Sequence, residues 1–205
     1  MVWFGVSARA ILVVATGGLA TTTNEGSWTG NLASIPSPTM VTWLIDGNNL
    51  SCSRKVPNER EVILRELSKM ASPRESGSLR LDPDVISNVV VVFDGNEDEE
   101  SDITVTEETK WLEWTVTDGR NRLKDRADDW IVNNAIPRLH EMIEQRSNEN
   151  KGSTKVNLVS ADKELQKRVR ATRILCGGSF IHPPRFWNDY LPILQEQQKK
   201  IMVEE

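Results

Sequence analysis

Five aspartates in this sequence stand where polar residues follow or open apolar patterns. Asp46, Asp94 and Asp162 come at or just beyond the ends of three apolar runs, and Asp128 and Asp129 open an amphipathic stretch. Carboxylates crowded into one cleft repel each other unless a cation lies among them. Oxygen ligands at a partly open site suit Mg²⁺ or Mn²⁺. The aspartates therefore predict a divalent-metal site, provided that the fold brings them together.

Three apolar runs are predicted to be the strands that position these acids: Val41–Ile45, Val89–Phe93 and Val156–Val159. Strands buried on both faces of a parallel sheet read as continuous apolar runs. Open α/β sheets place their ligands beyond the carboxyl ends of the strands, where these acids stand. Gly47 is expected to let the backbone turn tightly after Asp46. At Asp46 alone, an ordinary capped turn explains the residues as well.

Apolar residues at helical or alternating spacing predict the other elements. Two acids in the first turn suit the start of the helix at Ala127, because the helix dipole favours negative charge there. Pro137 falls inside that helix and is expected to kink it or divide it in two. The predicted elements are helices at Pro57–Ala71, Ala127–Arg146 and Lys163–Arg170, a helical tail from Arg185, and strands at Lys110–Thr117 and Arg173–Cys176.

Four short motifs occur in a fixed order along the chain. They are Leu-Ile-Asp-Gly-Asn-Asn from Leu44, Val-Val-Phe-Asp-Gly from Val91, Ala-Asp-Asp-Trp-Ile from Ala127, and Val-Ser-Ala-Asp-Lys-Glu-Leu-Gln from Val159. In this order they resemble the NYN domains of the YacP type, which belong to the PIN-like nuclease superfamily. The resemblance covers about residues 40–194. It implies a three-layer α/β/α PIN-like fold with a mainly parallel sheet, an aspartate cluster that holds divalent metal, and cleavage of RNA.

The chain departs from that family's pattern at a few positions. Asn48 stands where family members commonly carry an aromatic residue, and Val132 stands where an acid is frequent. Ser160 and Ala161 replace a Thr-Ser pair, while the principal aspartates are all kept. These changes concern substrate preference and detailed coordination more than metal binding.

The candidate site combines acids with supporting polar and basic residues. Asp46, Asp94, Asp128 and Asp162 are the predicted catalytic metal ligands, and Asp129 is a possible further ligand. Asn49 and Ser160 are predicted to support the ligands or contact substrate. The most basic stretch directly precedes Asp128, where cations would position an RNA backbone, although an ordinary charged loop also explains it. Its predicted substrate-binding residues are Arg120, Arg122, Lys124 and Arg126.

Function remains open between two main hypotheses. The first is a metal-dependent endoribonuclease using Mg²⁺ or Mn²⁺. The second is a non-catalytic RNA-binding or ribosome-associated module, which the departures at Asn48 and Val132 favour and the retained aspartates oppose. An aspartyl phosphatase is weaker, because no acid stands two residues after Asp46. A dinucleotide enzyme is weaker still, because no Gly-x-Gly-x-x-Gly pattern follows a strand.

Composition bounds these hypotheses. The 205 residues, 38% of them hydrophobic, describe one globular domain plus some extra chain. The net charge of -5 argues against a protein that coats nucleic acid nonspecifically. Cys52 and Cys176 form no Cys-x-x-Cys pattern and are interpreted as reduced thiols. The oligomeric state stays open.

Residues 1–39 differ in composition from the rest and are excluded from the predicted domain, 40–205. The apolar patch Ala10–Ala15 follows Arg9, and Glu25 is the only acid before Met40. The patch is too short to span a membrane, but it suits the apolar part of a signal peptide or of an organellar transit segment. A transit segment would direct the protein to a plastid or mitochondrion. A disordered extension, or a start at Met40 with a cytoplasmic location, explains the segment equally well.

Overall fold

The computed structural model of this chain describes residues 39–73, 85–96, 102–120, 126–149, 151–175 and 177–203. These residues form an α/β fold around one six-stranded sheet. Except for Thr39, the predicted N-terminal extension lies outside the described residues. The strands are β1 (Thr39–Asp46), β2 (Val85–Phe93), β3 (Ile103–Thr106), β4 (Leu112–Val116), β5 (Thr154–Val159) and β6 (Phe180–Ile181).

The strands lie in the order β3-β4-β2-β1-β5-β6. Each neighbouring pair is parallel except β3 with β4, which is antiparallel. The three strands predicted to carry the acids are thus adjacent and parallel, and the predicted central, mainly parallel sheet is confirmed. Their register pairs Asp46 with Val92 and Ile45 with Val159. The carboxyl ends of β2, β1 and β5 consequently meet at one edge of the sheet.

Successive side chains of β1 and β2 pack into two different apolar cores. Trp43, Ile45 and Val91 belong to one buried cluster, whereas Leu44 and Val92 belong to the other. Side chains alternate between the faces of a strand, so the two clusters lie on opposite faces of the sheet. Helices contribute to both clusters, an arrangement compatible with three α/β/α layers.

The helices that cover the two faces come from different parts of the chain. Ile63 and Leu67 of the second helix join the cluster of Trp43, whereas Leu139 and Leu165 of later helices join the cluster of Leu44. The helices predicted near Pro57–Ala71 and Lys163–Arg170 are confirmed as α2 and α5. The bounds are α1 (Gly47–Ser51), α2 (Arg60–Ser68), α3 (Arg126–Trp130), α4 (Ile136–Asn148), α5 (Lys163–Ala171), α6 (Pro183–Arg185) and α7 (Leu191–Val203), with π-helical segments at Ile131–Ala135 and Phe186–Tyr190.

Both π-helical segments end two residues before a proline, Pro137 in one case and Pro192 in the other. The residue after each segment donates its backbone N–H five positions back, as Ile136 does to the carbonyl of Ile131. A proline inside a helix has no N–H to donate, and its ring crowds the carbonyl four residues earlier. A widened turn relieves that crowding. The helix predicted at Ala127–Arg146 is therefore divided by a π-helical segment between α3 and α4, directly before the turn that contains Pro137.

The strand predicted at Arg173–Cys176 is wrong for its described residues, because Arg173–Leu175 form a turn and irregular chain. Arg173 adopts a left-handed φ of 58° directly after α5 ends, and this turns the chain away from an extended path. The edge strand is β6 instead. Gly178 permits its approach to β5, since a Cβ there would lie 1.7 Å from the carbonyl oxygen of Val156.

Candidate active site

The candidate site lies at the carboxyl edge of the sheet, where β1, β2 and β5 end side by side. Asp46 is the last residue of β1, and Asp94 and Ser160 follow the last residues of β2 and β5. The short helix α1 starts directly after Asp46. Residues far apart in sequence therefore meet because the register aligns the ends of three parallel strands.

Asp46 is almost completely buried, with 2% of its surface exposed. Its carboxylate accepts the backbone N–H of Asn49 at 3.0 Å, the side-chain amide of Asn49 at 2.6 Å and the hydroxyl of Ser160 at 2.9 Å. Burial raises the pKa of Asp46, and the negative charge of neighbouring Asp94 adds to this effect, while the hydrogen bonds oppose it. A cation bound beside this carboxylate would favour its charged form.

Asp94 is held from two sides. One of its carboxylate oxygens accepts a hydrogen bond from the side-chain amide of Asn48, and the other accepts the backbone N–H of Ala127 at 2.7 Å. The side-chain oxygen of Asn48 also accepts the backbone N–H of Asp94 at 3.2 Å. Ala127 lies in the first turn of α3, where the helix dipole favours a negative charge. The carboxylate of Asp94 is thus fixed by α1 and by the start of α3.

The consecutive amides of α1 have separate roles, because Asn49 binds Asp46 and Asn48 binds Asp94. The structure also gives Gly47 a role other than the predicted tight turn. Gly47 is the first residue of α1, and a Cβ on it would lie 2.4 Å from the ring of Phe93. Only glycine lets α1 come close enough to β2 for Asn48 to reach Asp94.

Ser160 and Asp162 extend the site towards α5. The buried Ser160 hydroxyl donates to Asp46 and accepts the backbone N–H of Asp162 at 3.0 Å. One carboxylate oxygen of Asp162 accepts the backbone N–H groups of Glu164 and Leu165, at 2.7 and 2.9 Å. Asp162 is therefore the N-cap of α5 and is joined to Asp46 through Ser160.

Asp128 and Asp129 differ sharply in their surroundings. Asp128 is buried in α3, whereas Asp129 is exposed and forms an ion pair of 2.6 Å with Arg168 of α5. Exposed ion pairs contribute little to stability. This one nevertheless directs the carboxylate of Asp129 to Arg168 of α5. Asp129 is thus joined to α5 through Arg168, whereas Asp46 and Asp94 are joined to α1.

The predicted basic segment is described only at its two ends, because Arg122 and Lys124 lie outside the described residues. Arg120 is exposed and forms an ion pair with Asp118, at 3.0 Å. Arg126 donates to the backbone oxygen of Gly95 at 3.1 Å. Two further guanidinium nitrogens of Arg126 are buried without a hydrogen-bond partner among the described residues. Arg126 therefore ties the start of α3 to the end of β2.

The number of carboxylates at this edge limits how a divalent cation could be bound. Within the described ranges, no three carboxylate, imidazole or thiol side chains are grouped closely enough to hold one metal ion. A carboxylate offers about four acceptor positions, and counted over the described residues Asp94 uses two and Asp46 three. Mg²⁺ is commonly bound by one or two carboxylates, with water and substrate phosphate completing its shell. Asp46 and Asp94 fit that minimal set.

Two residues that contact Asp94 are not among the site residues predicted from the sequence. Asn48 stands in the sequence as a departure from a family pattern, yet its side chain holds Asp94; its position beside Asn49, directly after Asp46-Gly47, is the one local signal for this role. Arg60 donates to the backbone oxygen of Asp94 at 3.3 Å and lies over the ring of Phe93. No local pattern marks Arg60, because it stands 34 residues before its partner.

No protein-family model, curated protein or solved structure matches the chain. Within the part of the chain that the structure describes, no helix is both long and apolar enough to cross a membrane.

Proposed function

We propose that this chain is a metal-dependent endoribonuclease with a PIN-like, YacP-type NYN fold, which hydrolyses phosphodiester bonds in RNA. The observation that carries the proposal is the pair Asp46 and Asp94, each fixed by its own amide of α1 at the carboxyl edge. Holding two carboxylates near each other, one of them buried, is unfavourable on electrostatic grounds alone. A cation held by Asp46 and Asp94 would offset this repulsion.

Asp46 and Asp94 would hold Mg²⁺ or Mn²⁺. When bound, the cation supplies Lewis-acid chemistry, which activates water as a nucleophile and neutralises charge on the phosphate. Asn48, Asn49 and Ser160 keep the two carboxylates in place, so that they need not reorganise when substrate arrives. Asp162, joined to Asp46 through Ser160, and Asp128, which follows the Ala127 that binds Asp94, are the further acids of the proposal.

The substrate side of the proposal depends on positive charge close to the acids. Arg120 is exposed, and Arg126 lies against Gly95, one residue after Asp94. Together with the neighbouring residues Arg122 and Lys124 they would position the phosphates of a single strand. Asn49 binds Asp46 and is therefore assigned to the support of that ligand, not to substrate contact.

The test is cleavage of a labelled, mixed-sequence single-stranded RNA by the full chain with Mg²⁺, with Mn²⁺ and with chelator. The Asp46→Asn variant is expected to lose cleavage while keeping its fold, because asparagine is also a good N-cap for α1. Asp189→Asn, an exposed acid in the second π-helical segment, is the matched control and should cleave like the wild type. Cleavage that survives in Asp46→Asn, or in chelator, would refute the proposal.

A non-catalytic RNA-binding module is the second candidate. It is favoured by the ion pair that engages Asp129 and by the small number of carboxylates grouped at the described part of the site. Such a module would bind the same RNA equally well with metal and with chelator, and would not cut it in either case. The cleavage assay above separates the two candidates when the bound fraction of RNA is measured in parallel.

A further inference from the structure

A polar cleft opens beside Asp94, on the side of α1 and α2. Its volume is about 360 Å³, within the range of small-molecule sites, which is roughly 300–1,000 Å³. The walls come from both helices and from the end of β2. Polar side chains that line it include Asn48, Ser51, Asn58, Arg60, Asp94 and Asn96.

The chemistry of this lining selects the class of ligand. An apolar molecule would leave these amides and charges without partners, which is costly. Amide side chains donate and accept hydrogen bonds at once, as the edges of nucleobases and the hydroxyls of ribose require. Asn58 and Asn96 are both exposed to the cleft's solvent side. The lining therefore suits a nucleoside or sugar better than a lipid or an aromatic metabolite.

Arg60 gives the cleft a fixed cation. Its guanidinium lies 5.2 Å from the centre of the Phe93 ring and donates to the backbone oxygen of Asp94. A planar guanidinium held on an aromatic face is suited to phosphate binding and to stacking against a base. Two acids, Glu61 and Asp94, also line the cleft and would repel any phosphate beyond the one that Arg60 binds. One nucleotide fits this charge pattern, and a chain of several phosphates does not.

We propose that this cleft binds the RNA nucleotide adjacent to the scissile phosphate, with Arg60 at its phosphate and Asn58 at its base or ribose. The inference rests on the proposed nuclease function, because Asn48 lines the cleft and also holds the carboxylate of Asp94. A nucleotide in the cleft would thus place its neighbouring phosphate at the acids.

Binding of a fluorescein-labelled pentauridylate, followed by fluorescence anisotropy at constant ionic strength, tests the cleft. Asp46→Asn is the parent protein, so that the RNA stays uncut. Arg60→Gln is compared with Arg65→Gln, which removes the same charge from an exposed position of α2 where Arg65 lies beside Glu66. Because Arg60 also braces Asp94, Asn58→Ala gives a second reading from an exposed residue, and thermal unfolding checks that all the variants fold.

We expect Arg60→Gln to weaken binding about tenfold, which corresponds to about 1.4 kcal/mol. Asn58→Ala should weaken binding about threefold, and Arg65→Gln by less than about twofold. Equal losses in Arg60→Gln and Arg65→Gln would show a nonspecific charge effect and overturn the proposal, as would unchanged binding in both Arg60→Gln and Asn58→Ala.

The outcome separates the cleft from the nuclease. If the wild type, Arg60→Gln and Asn58→Ala all cleave RNA equally well, and the parent protein binds no pentauridylate, the proposed nucleotide site is refuted and the nuclease function is supported. RNA binding that depends on Arg60 and Asn58, in a protein that cuts no RNA with either metal, supports the cleft and refutes the nuclease. If the wild type neither cleaves nor binds RNA, both the nuclease function and the nucleotide site are refuted.

Discussion

Asn48 is the residue whose replacement tests most directly how the site is held together. The Asn48→Ala variant removes the hydrogen bond to the Asp94 carboxylate and the acceptor for the Asp94 backbone N–H. A hydrogen bond to a charged group contributes about 1.5–3 kcal/mol, and one between neutral groups about 0.5–1.5 kcal/mol. Both residues are half-buried, so the lower ends apply and sum to about 2 kcal/mol.

Alanine returns part of that loss, since it is a better helix former than asparagine by about 0.6 kcal/mol. The free energy of unfolding, measured by urea denaturation, should therefore fall by about 1.5 kcal/mol. Residues that orient metal ligands typically contribute 10- to 100-fold to metal affinity or activity. We expect cleavage by Asn48→Ala to fall by about that factor and to recover in part as Mn²⁺ is raised.

The control is Asn148→Ala, at the exposed end of α4, which should change stability by less than about 0.5 kcal/mol and leave cleavage unaltered. Two results would refute the reasoning. If Asn48→Ala matches the wild type in stability and cleavage, the hydrogen bonds to Asp94 have no role. If stability falls and cleavage does not, Asn48 supports the fold but Asp94 lies outside the reacting centre.

Two further predictions concern Gly47 and the burial of Asp46. Gly47→Ala should lower the free energy of unfolding by about 1–3 kcal/mol, because its Cβ would overlap the ring of Phe93, and Phe93→Leu in the same chain should recover part of the loss in a double-mutant cycle. Burial raises the folded-state pKa of Asp46 above its ordinary value of 3.8, so the folded protein holds this proton to higher pH than the unfolded chain does. The stability linked to this group is full below about pH 3.8 and is lost as the pH rises through the folded-state pKa. In metal-free urea titrations, the stability of Asp46→Asn relative to the wild type should therefore rise between pH 4 and pH 7, because asparagine has no proton to release; a difference independent of pH would contradict this assignment.

Much of the central sheet could be predicted from the sequence, because its signals are local. A run such as Val89–Phe93 has no polar face to expose, so it must be buried on both sides, and the acid that ends it marks the carboxyl edge. Val41–Ile45 and Val156–Val159 are apolar apart from Thr42 and Asn157, and the polar residues Asp46 and Ser160 directly follow them. Asp162 before α5 is likewise a local signal, since an N-cap bonds residues two or three positions ahead.

Other features were decided by contacts between distant residues. The apolar residues of Arg173–Leu175 gave no sign that a left-handed turn would exclude them from the sheet, or that β6 would pair with β5 through the close approach of Gly178. The ion pair between Asp129 and Arg168 joins two helices through residues that are 39 positions apart in sequence. The sequence pattern also predicts four aspartates as equivalent main ligands, with Asp129 as a further one, although the surroundings of the four differ.

The sequence by itself determined which residues end the strands and therefore which acids reach the carboxyl edge. Only the tertiary structure decided how those acids are held, because Asn48 lies 46 residues from Asp94 and Ser160 lies 114 residues from Asp46. Hydrogen bonds over such separations form when packing brings strand ends and helix starts together. The close fit of Gly47 against Phe93 is one such packing contact, and it places both amides of α1 within reach of the two carboxylates.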